Sequence, residues 1–79
     1  MSDMAKVCAV VARQLGLAQV SPDQRLIEDL AAESLDYVTI ALALETAFGV
    51  WIPDDLLYEI DVVGDFARAL DATSGARGA

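Results

Sequence analysis

Histidine is missing from this chain, and cysteine occurs once, as Cys8. Without histidine the Ser-His-acid and Cys-His arrangements that activate a nucleophile are excluded, so catalysis by the protein itself is not expected. One thiol forms no internal disulfide and, with no histidine to join it, no zinc site; Cys8 reads as a small buried apolar residue. Basic residues are scarce, five Lys and Arg against thirteen Asp and Glu, for a net charge of −8. Phosphate backbones and anionic headgroups repel such a chain, which argues against nucleic acid and membrane surfaces as partners. Basic patches on other proteins attract it, and complementary fields of that kind raise encounter rates more than final affinity. Also lacking is a basic N-terminal region followed by a long apolar run, and no uncharged stretch approaches the roughly 20 residues of a membrane span. The sequence therefore predicts a cytoplasmic protein without membrane insertion.

What is abundant is small and aliphatic: hydrophobic residues make up 56% of the 79 positions, aromatics only 6%. Ala, Val and Leu dominate, which favours short packed helices. A chain of this length holds one domain and buries only about 60% of the surface its unfolded form exposes.

From Asp3 to Leu15 the residues Met4, Val7, Cys8, Val11 and Leu15 recur at helical spacing, with Gly16 as a stop. The segment from Leu17 to Glu33 lacks sustained periodicity. Within it Ser21-Pro22-Asp23-Gln24 has the Ser-x-x-Gln spacing of a capping box, which predicts a single helical turn inside a long loop. Leu26, Ile27 and Leu30 are expected to pin that loop to the core. A second helix is predicted from Ser34, as N-cap, to Phe48, closed by Gly49. Pro53 opens a short helix to about Ile60, with Asp54 and Asp55 at its dipole-favoured end. Asp61 is expected to cap a last helix with Val63, Phe66, Ala67 and Leu70 on one face. The predicted domain is 1–72, and the small polar run 73–79 is expected to be a disordered tail.

The second helix carries two apolar stripes. At 3.6 residues per turn Tyr37, Ile40, Leu44 and Phe48 line one side, and Leu35, Val38 and Leu42 another. Ser34 and Glu45 flank the second stripe, which is expected to face solvent as a docking patch, with Glu45 as its polar rim. The other arrangement is that all seven are core.

Candidate chemistry is sparse. Glu28 with Asp29 and Asp54 with Asp55 are adjacent carboxylates, but neighbours on a helix point apart, and no calcium-loop spacing appears, so no metal site is expected. They read as solvated acidic faces. Taken alone, Ser34 reads as a plain N-cap.

The run Asp29-Leu30-Ala31-Ala32-Glu33-Ser34-Leu35-Asp36 nevertheless resembles the Asp-Ser-Leu modification motif of acyl carrier proteins. Downstream, Ala43-Leu44-Glu45, Phe48-Gly49-Val50, Ile52-Pro53-Asp54 and Val63-Gly64-Asp65 follow in that family's order. Glu33 stands where the family usually has Asp, and Ala31 where Gly is common. The resemblance spans about Leu26 to Leu70. It implies an all-α four-helix bundle with a long first loop and a short third helix, which agrees with the helices read from periodicity.

The resemblance also implies a function. Ser34 would accept a 4'-phosphopantetheine arm from coenzyme A through a phosphopantetheinyl transferase, as acceptor and not as catalyst. The arm's thiol would hold acyl groups as thioesters for ketosynthase- and acyltransferase-type partners with basic patches, the protein acting as a monomer. A phosphodiester there would sit at the positive end of a helix dipole. Glu33 and Asp36 would guide partners together with Leu35, Val38, Leu42 and Glu45, and Ile40, Leu44, Ile52, Ile60 and Phe66 would line an acyl pocket. Between Ser34 and Ala47 the only acids are Asp36 and Glu45, with Thr39 and Thr46 where a general fatty-acid carrier would be acidic. That favours a polyketide or specialised lipid pathway over a general fatty-acid carrier, then a peptidyl or aminoacyl carrier. An unmodified acidic helical interaction module is the rival from another class.

Overall fold

The computed structural model describes residues 3–77, with side chains to Thr73. Four helices follow one another: α1 (Met4–Leu15), α2 (Ser34–Phe48), α3 (Asp54–Leu57) and α4 (Val63–Arg77). α1 packs on α2 and on α4, while the single turn of α3 bridges α2 and α4. The arrangement is the expected all-α bundle with a long first loop and a short third helix.

Local chemistry sets most helix ends. The Asp3 carboxylate accepts from the N–H groups of Ala5 at 3.0 Å and Lys6 at 3.3 Å, which starts α1. Gly16 and Gly49 end α1 and α2 in the left-handed region, at φ 70° and 68°. α2 differs from expectation at its start: Glu33 is the N-cap and Ser34 the first helical residue. The cap comes from inside the helix, where the Asp36 carboxylate accepts from the Glu33 N–H at 2.8 Å. This reach-back belongs to a capping box between Glu33 and Asp36, and with Glu33 in the N-cap position Ser34 is not the cap.

The start of α4 is built the same way and corrects a second expectation. Asp65, not Asp61, is the capping carboxylate, accepting from the N–H groups of Asp61 at 2.8 Å and Val62 at 3.0 Å. Asp61 instead accepts from the Arg25 guanidinium, which also pairs with Glu28. α3 is shorter than expected, ending at Leu57, with isolated turns carrying the chain to Ile60. α4 is longer. It runs to Arg77, and the Thr73 hydroxyl, buried, donates to the carbonyls of Ala69 and Leu70, so the packed helix enters the stretch expected as a tail. Residues 78 and 79 lie outside the described residues.

The long loop is not helical at Ser21–Gln24. It makes a turn in which the Gln24 side-chain oxygen accepts from the Ser21 N–H at 2.7 Å. Beyond it the loop is stitched to the α3–α4 link. Arg25 and Val62 form an isolated antiparallel bridge, Leu26 N–H donates to Asp61 O, Val63 N–H to Gln24 O, and Gly64 N–H to Pro22 O at 2.8 Å. Gly64 eases that approach, since a methyl group there would stand a tight 3.2 Å from the Pro22 oxygen. Of the three loop residues expected to pin it, Leu26 is fully buried, Leu30 is half-buried and Ile27 is exposed.

One continuous core results. Val7 and Val11 of α1, Ile40 and Leu44 of α2, and Val63, Phe66 and Leu70 of α4 all have no exposed surface. Cys8 packs half-buried against this cluster, and burial pushes its thiol pKa up.

Candidate functional site

Ser34 is exposed at the start of a helix of 15 residues. The dipole of such a helix favours negative charge at this end, where the first-turn N–H groups have no intrahelical acceptor. Three segments converge around the serine. From α2 come Tyr37 and Val38, from the long loop Ile27, and from α3 and its exit Leu57, Tyr58 and Ile60, and together with Ser34 they line an open apolar groove of about 230 Å³. Ile27 and Tyr58 are exposed at its lips, at 63% and 84%.

Tyr37 forms one wall. Its hydroxyl donates to the Ile60 carbonyl at 3.3 Å, and its ring lies 6.3 Å from that of Phe66, tilted by 52°. Burial, then the nearby carboxylates of Asp61 and Asp65, push the Tyr37 pKa up, so the hydroxyl keeps its proton and its donor role.

The expected patch and pocket residues fall on opposite sides of α2. Leu35, Val38 and Leu42 are exposed, at 73%, 46% and 60%. Ile40, Leu44, Ile52, Ile60 and Phe66 are buried in one core cluster. Of those five, Ile60 alone also lines the groove beside Ser34. Tyr37, Ile27, Leu57 and Tyr58 are groove residues that sequence reasoning missed. The signal for Tyr37 was its place three residues after Ser34, on the neighbouring turn of the same helix; the other three come from elsewhere in the chain.

The acids expected at the patch do different work. Glu33 is exposed. Asp36 is tied to the Glu33 N–H, and Glu45, half-buried, accepts from the Ile52 N–H at 2.8 Å and so holds the chain leaving α2. Thr39 and Thr46 donate back to the carbonyls of Leu35 and Leu42. The exposed outer face of α2 is therefore mainly apolar, with Leu35, Val38 and Leu42 on it, although the sequence from Leu26 to Ala67 has ten acids and no basic residue. Among the described residues no helix is long and apolar enough to cross a membrane.

Comparison with known proteins agrees with this geometry. Residues 5–70 match the family model described as a phosphopantetheine attachment site. The chain is 39% identical over 74 residues to an acyl carrier protein of Prochlorococcus marinus (strain MIT 9515), covering 91% of this chain and 92% of that one. It is 45% identical over 65 residues to acyl carrier proteins of Helicobacter pylori strains G27 and HPAG1, covering 80% of this chain and 83% of each relative.

Proposed function

Because the chain belongs to the acyl carrier proteins, which bear a covalent 4'-phosphopantetheine, we propose that Ser34 is its attachment residue and that it serves a polyketide or specialised lipid pathway. Acyl carrier proteins are carriers and not enzymes; a phosphopantetheinyl transferase modifies them, and synthase enzymes act on what they carry. When attached, the arm supplies a terminal thiol that holds acyl groups as thioesters.

The observation that carries the assignment is the exposure of Ser34 at the head of α2, one position inside the Glu33 N-cap. The chain's own residues fit the group there. A phosphodiester on the serine oxygen meets the positive end of a helix dipole, and the apolar groove beside it offers apolar cargo a place out of water when the arm folds back. The serine contributes a hydroxyl and a position, and in this reading the transferase supplies the chemistry that removes its proton.

The outer face of α2 supports the pathway reading. Its two acids are both committed to backbone N–H groups, which leaves Leu35, Val38 and Leu42 as an apolar docking strip with Glu33 at its head. Such a strip suits partners that bury aliphatic surface, with charge acting mainly on the encounter. In this reading the carrier domain, expected as 1–72, extends through the packed Thr73 and is a cytoplasmic monomer whose acidic surface draws basic patches on its transferase and synthases.

Intact mass before and after incubation with coenzyme A and a broad-specificity transferase tests the attachment. The parent gains the mass of the arm and Ser34→Ala does not; modification of Ser34→Ala at the parent rate overturns the assignment. Offering the acylated protein to ketosynthases of both kinds tests the pathway, and faster turnover by a general fatty-acid enzyme overturns that part.

A further inference from the structure

We infer that the outer face of α1 carries a second binding site, an apolar groove with a cation at one end that takes a free aliphatic carboxylic acid. The site lies apart from the serine, since no residue lining it also lines the groove beside Ser34. A ligand there is not thioester cargo, so the inference goes beyond the carrier reading and stands whether or not Ser34 bears the arm.

The groove forms where the chain turns back on itself. Gly16 ends α1, and the loop from Leu17 returns along the helix until Pro22 lies beside Met4: a methyl group on Gly64 would stand 3.7 Å from Pro22 Cβ and 3.6 Å from Met4 Cε. Between helix and loop is an open space of about 770 Å³, within the roughly 300–1,000 Å³ of small-molecule clefts. Its floor is one face of α1, where Ala5, Cys8, Ala9 and Ala12 are short enough to admit a ligand close to the backbone. Leu17 and Val20 form the facing wall. Burial pushes the Cys8 thiol pKa up, so the thiol stays neutral and adds apolar surface to the floor.

The charge pattern selects the occupant. Every lining residue falls between Met4 and Pro22, a stretch with two cations and no acid in a chain of net charge −8. Of its cations, Lys6 sits over the Phe48 ring, while Arg13 is exposed on the groove with no ion pair among the described residues. Gln19, also on the groove, adds an amide just past the same end of α1. The opposite end is flanked by Asp3 and Asp23. From Arg13 to Met4 the helix rises roughly 14 Å at about 1.5 Å per residue, which exceeds the Debye length of about 8 Å at physiological salt. The carboxylate of an aliphatic acid therefore goes to Arg13, whose planar guanidinium matches it in shape and charge, and its chain lies along the alanine floor toward Met4. The reverse orientation sets the carboxylate beside Asp3 and Asp23, and an uncharged amphiphile gains nothing from Arg13 by charge.

The test titrates the isotope-labelled full chain with decanoate below its micelle threshold and follows backbone amide shifts, with decanol as the uncharged control. Decanoate is expected to shift Cys8, Ala9, Ala12 and Gln19 saturably and to bind roughly three- to fivefold more tightly than decanol, the size of an exposed ion pair. Arg13→Gln removes that margin and leaves decanol binding unchanged. Ala9→Leu, at an exposed position, fills the floor without touching the core and weakens both ligands. Absence of a saturable shift at the α1 groove overturns the inference, as does equal affinity of the parent for decanoate and decanol. Stronger shifts at Ile27 and Tyr58, or along Leu35, Val38 and Leu42, mean adsorption to other apolar surface and overturn it too. Ser34→Ala keeps the two readings apart: it binds decanoate as the parent does, so a failed attachment reading leaves this site standing, whereas loss of decanoate binding in Ser34→Ala overturns a separate site.

Discussion

The Lys6 ammonium lies 4.9 Å above the Phe48 ring centroid and 3.4 Å from the Ala47 carbonyl. α2 has no basic residue in its last turn, so α1 supplies the cation that its negative end lacks. One side chain thus joins the first two helices through a cation–π contact and a carbonyl contact. Lys6→Met keeps most of the stem and removes the charge. Its expected cost is about 0.5–1 kcal/mol, from exposed cation–π and dipole interactions. Urea unfolding at low and high salt checks this, with the difference from the parent shrinking as salt is added.

Ala31 holds φ 57°, in the left-handed region, three residues before Ser34. A side chain there costs about 1–2 kcal/mol, and glycine gives back part of the gain through a freer unfolded chain. Ala31→Gly is therefore expected to stabilise the fold by up to about 1 kcal/mol, read from the denaturant midpoint. A lower midpoint contradicts the strain.

Leu42 and Leu44 are two positions apart on α2, one 60% exposed and the other fully buried. Leu44→Ala should cost about 2–5 kcal/mol as a buried truncation, and Leu42→Ala within about 0.5 kcal/mol. Under the docking role proposed for its strip, Leu42→Ala instead slows acyl transfer with partner enzymes. Chemical unfolding and transfer assays on both variants check the division, which equal destabilisation would refute.

Burial works to raise the Asp65 pKa, but the N–H groups of Asp61 and Val62 and the Arg68 guanidinium outweigh it and hold the pKa below its ordinary value of 3.8. The folded state therefore binds this proton more weakly than the unfolded one. The resulting stability is present above the ordinary value and is lost as pH falls through the folded one. Parent and Asp65→Asn are expected to differ most near neutral pH and to converge in acid, a comparison thermal melts over that range make directly.

The parts of this fold that sequence reveals are those decided locally. Asp3, Gly16 and Gly49 mark helix ends by properties of their own side chains or backbone, and the two stripes of α2 follow from a period of 3.6. Caps shared between nearby acids were not legible: Glu33, Ser34 and Asp36, like Asp61 and Asp65, offer several carboxylates or hydroxyls within one turn, and which of them reaches which N–H depends on where the helix starts. The single turn of α3 had too little length to show its end. Ser34 was legible through the motif around it, whereas the groove beside it joins Ile27, Tyr37 and Tyr58, whose proximity exists only after packing. Thr73 looked like the start of a polar tail until its hydroxyl found carbonyls one turn back in α4.

The stitching of the long loop to the α3–α4 link has a kinetic side. Arg25 meets Val62 and Pro22 meets Gly64 across roughly half the chain, so these contacts have high contact order in an otherwise locally connected bundle. A nascent chain that has released Ser34 from the ribosome but not yet Gly64 holds the serine behind a long loop with no partner to fix it. Assembly of the neighbourhood of Ser34 accordingly waits for Gly64 to emerge, and the transferase meets a shaped substrate only after that.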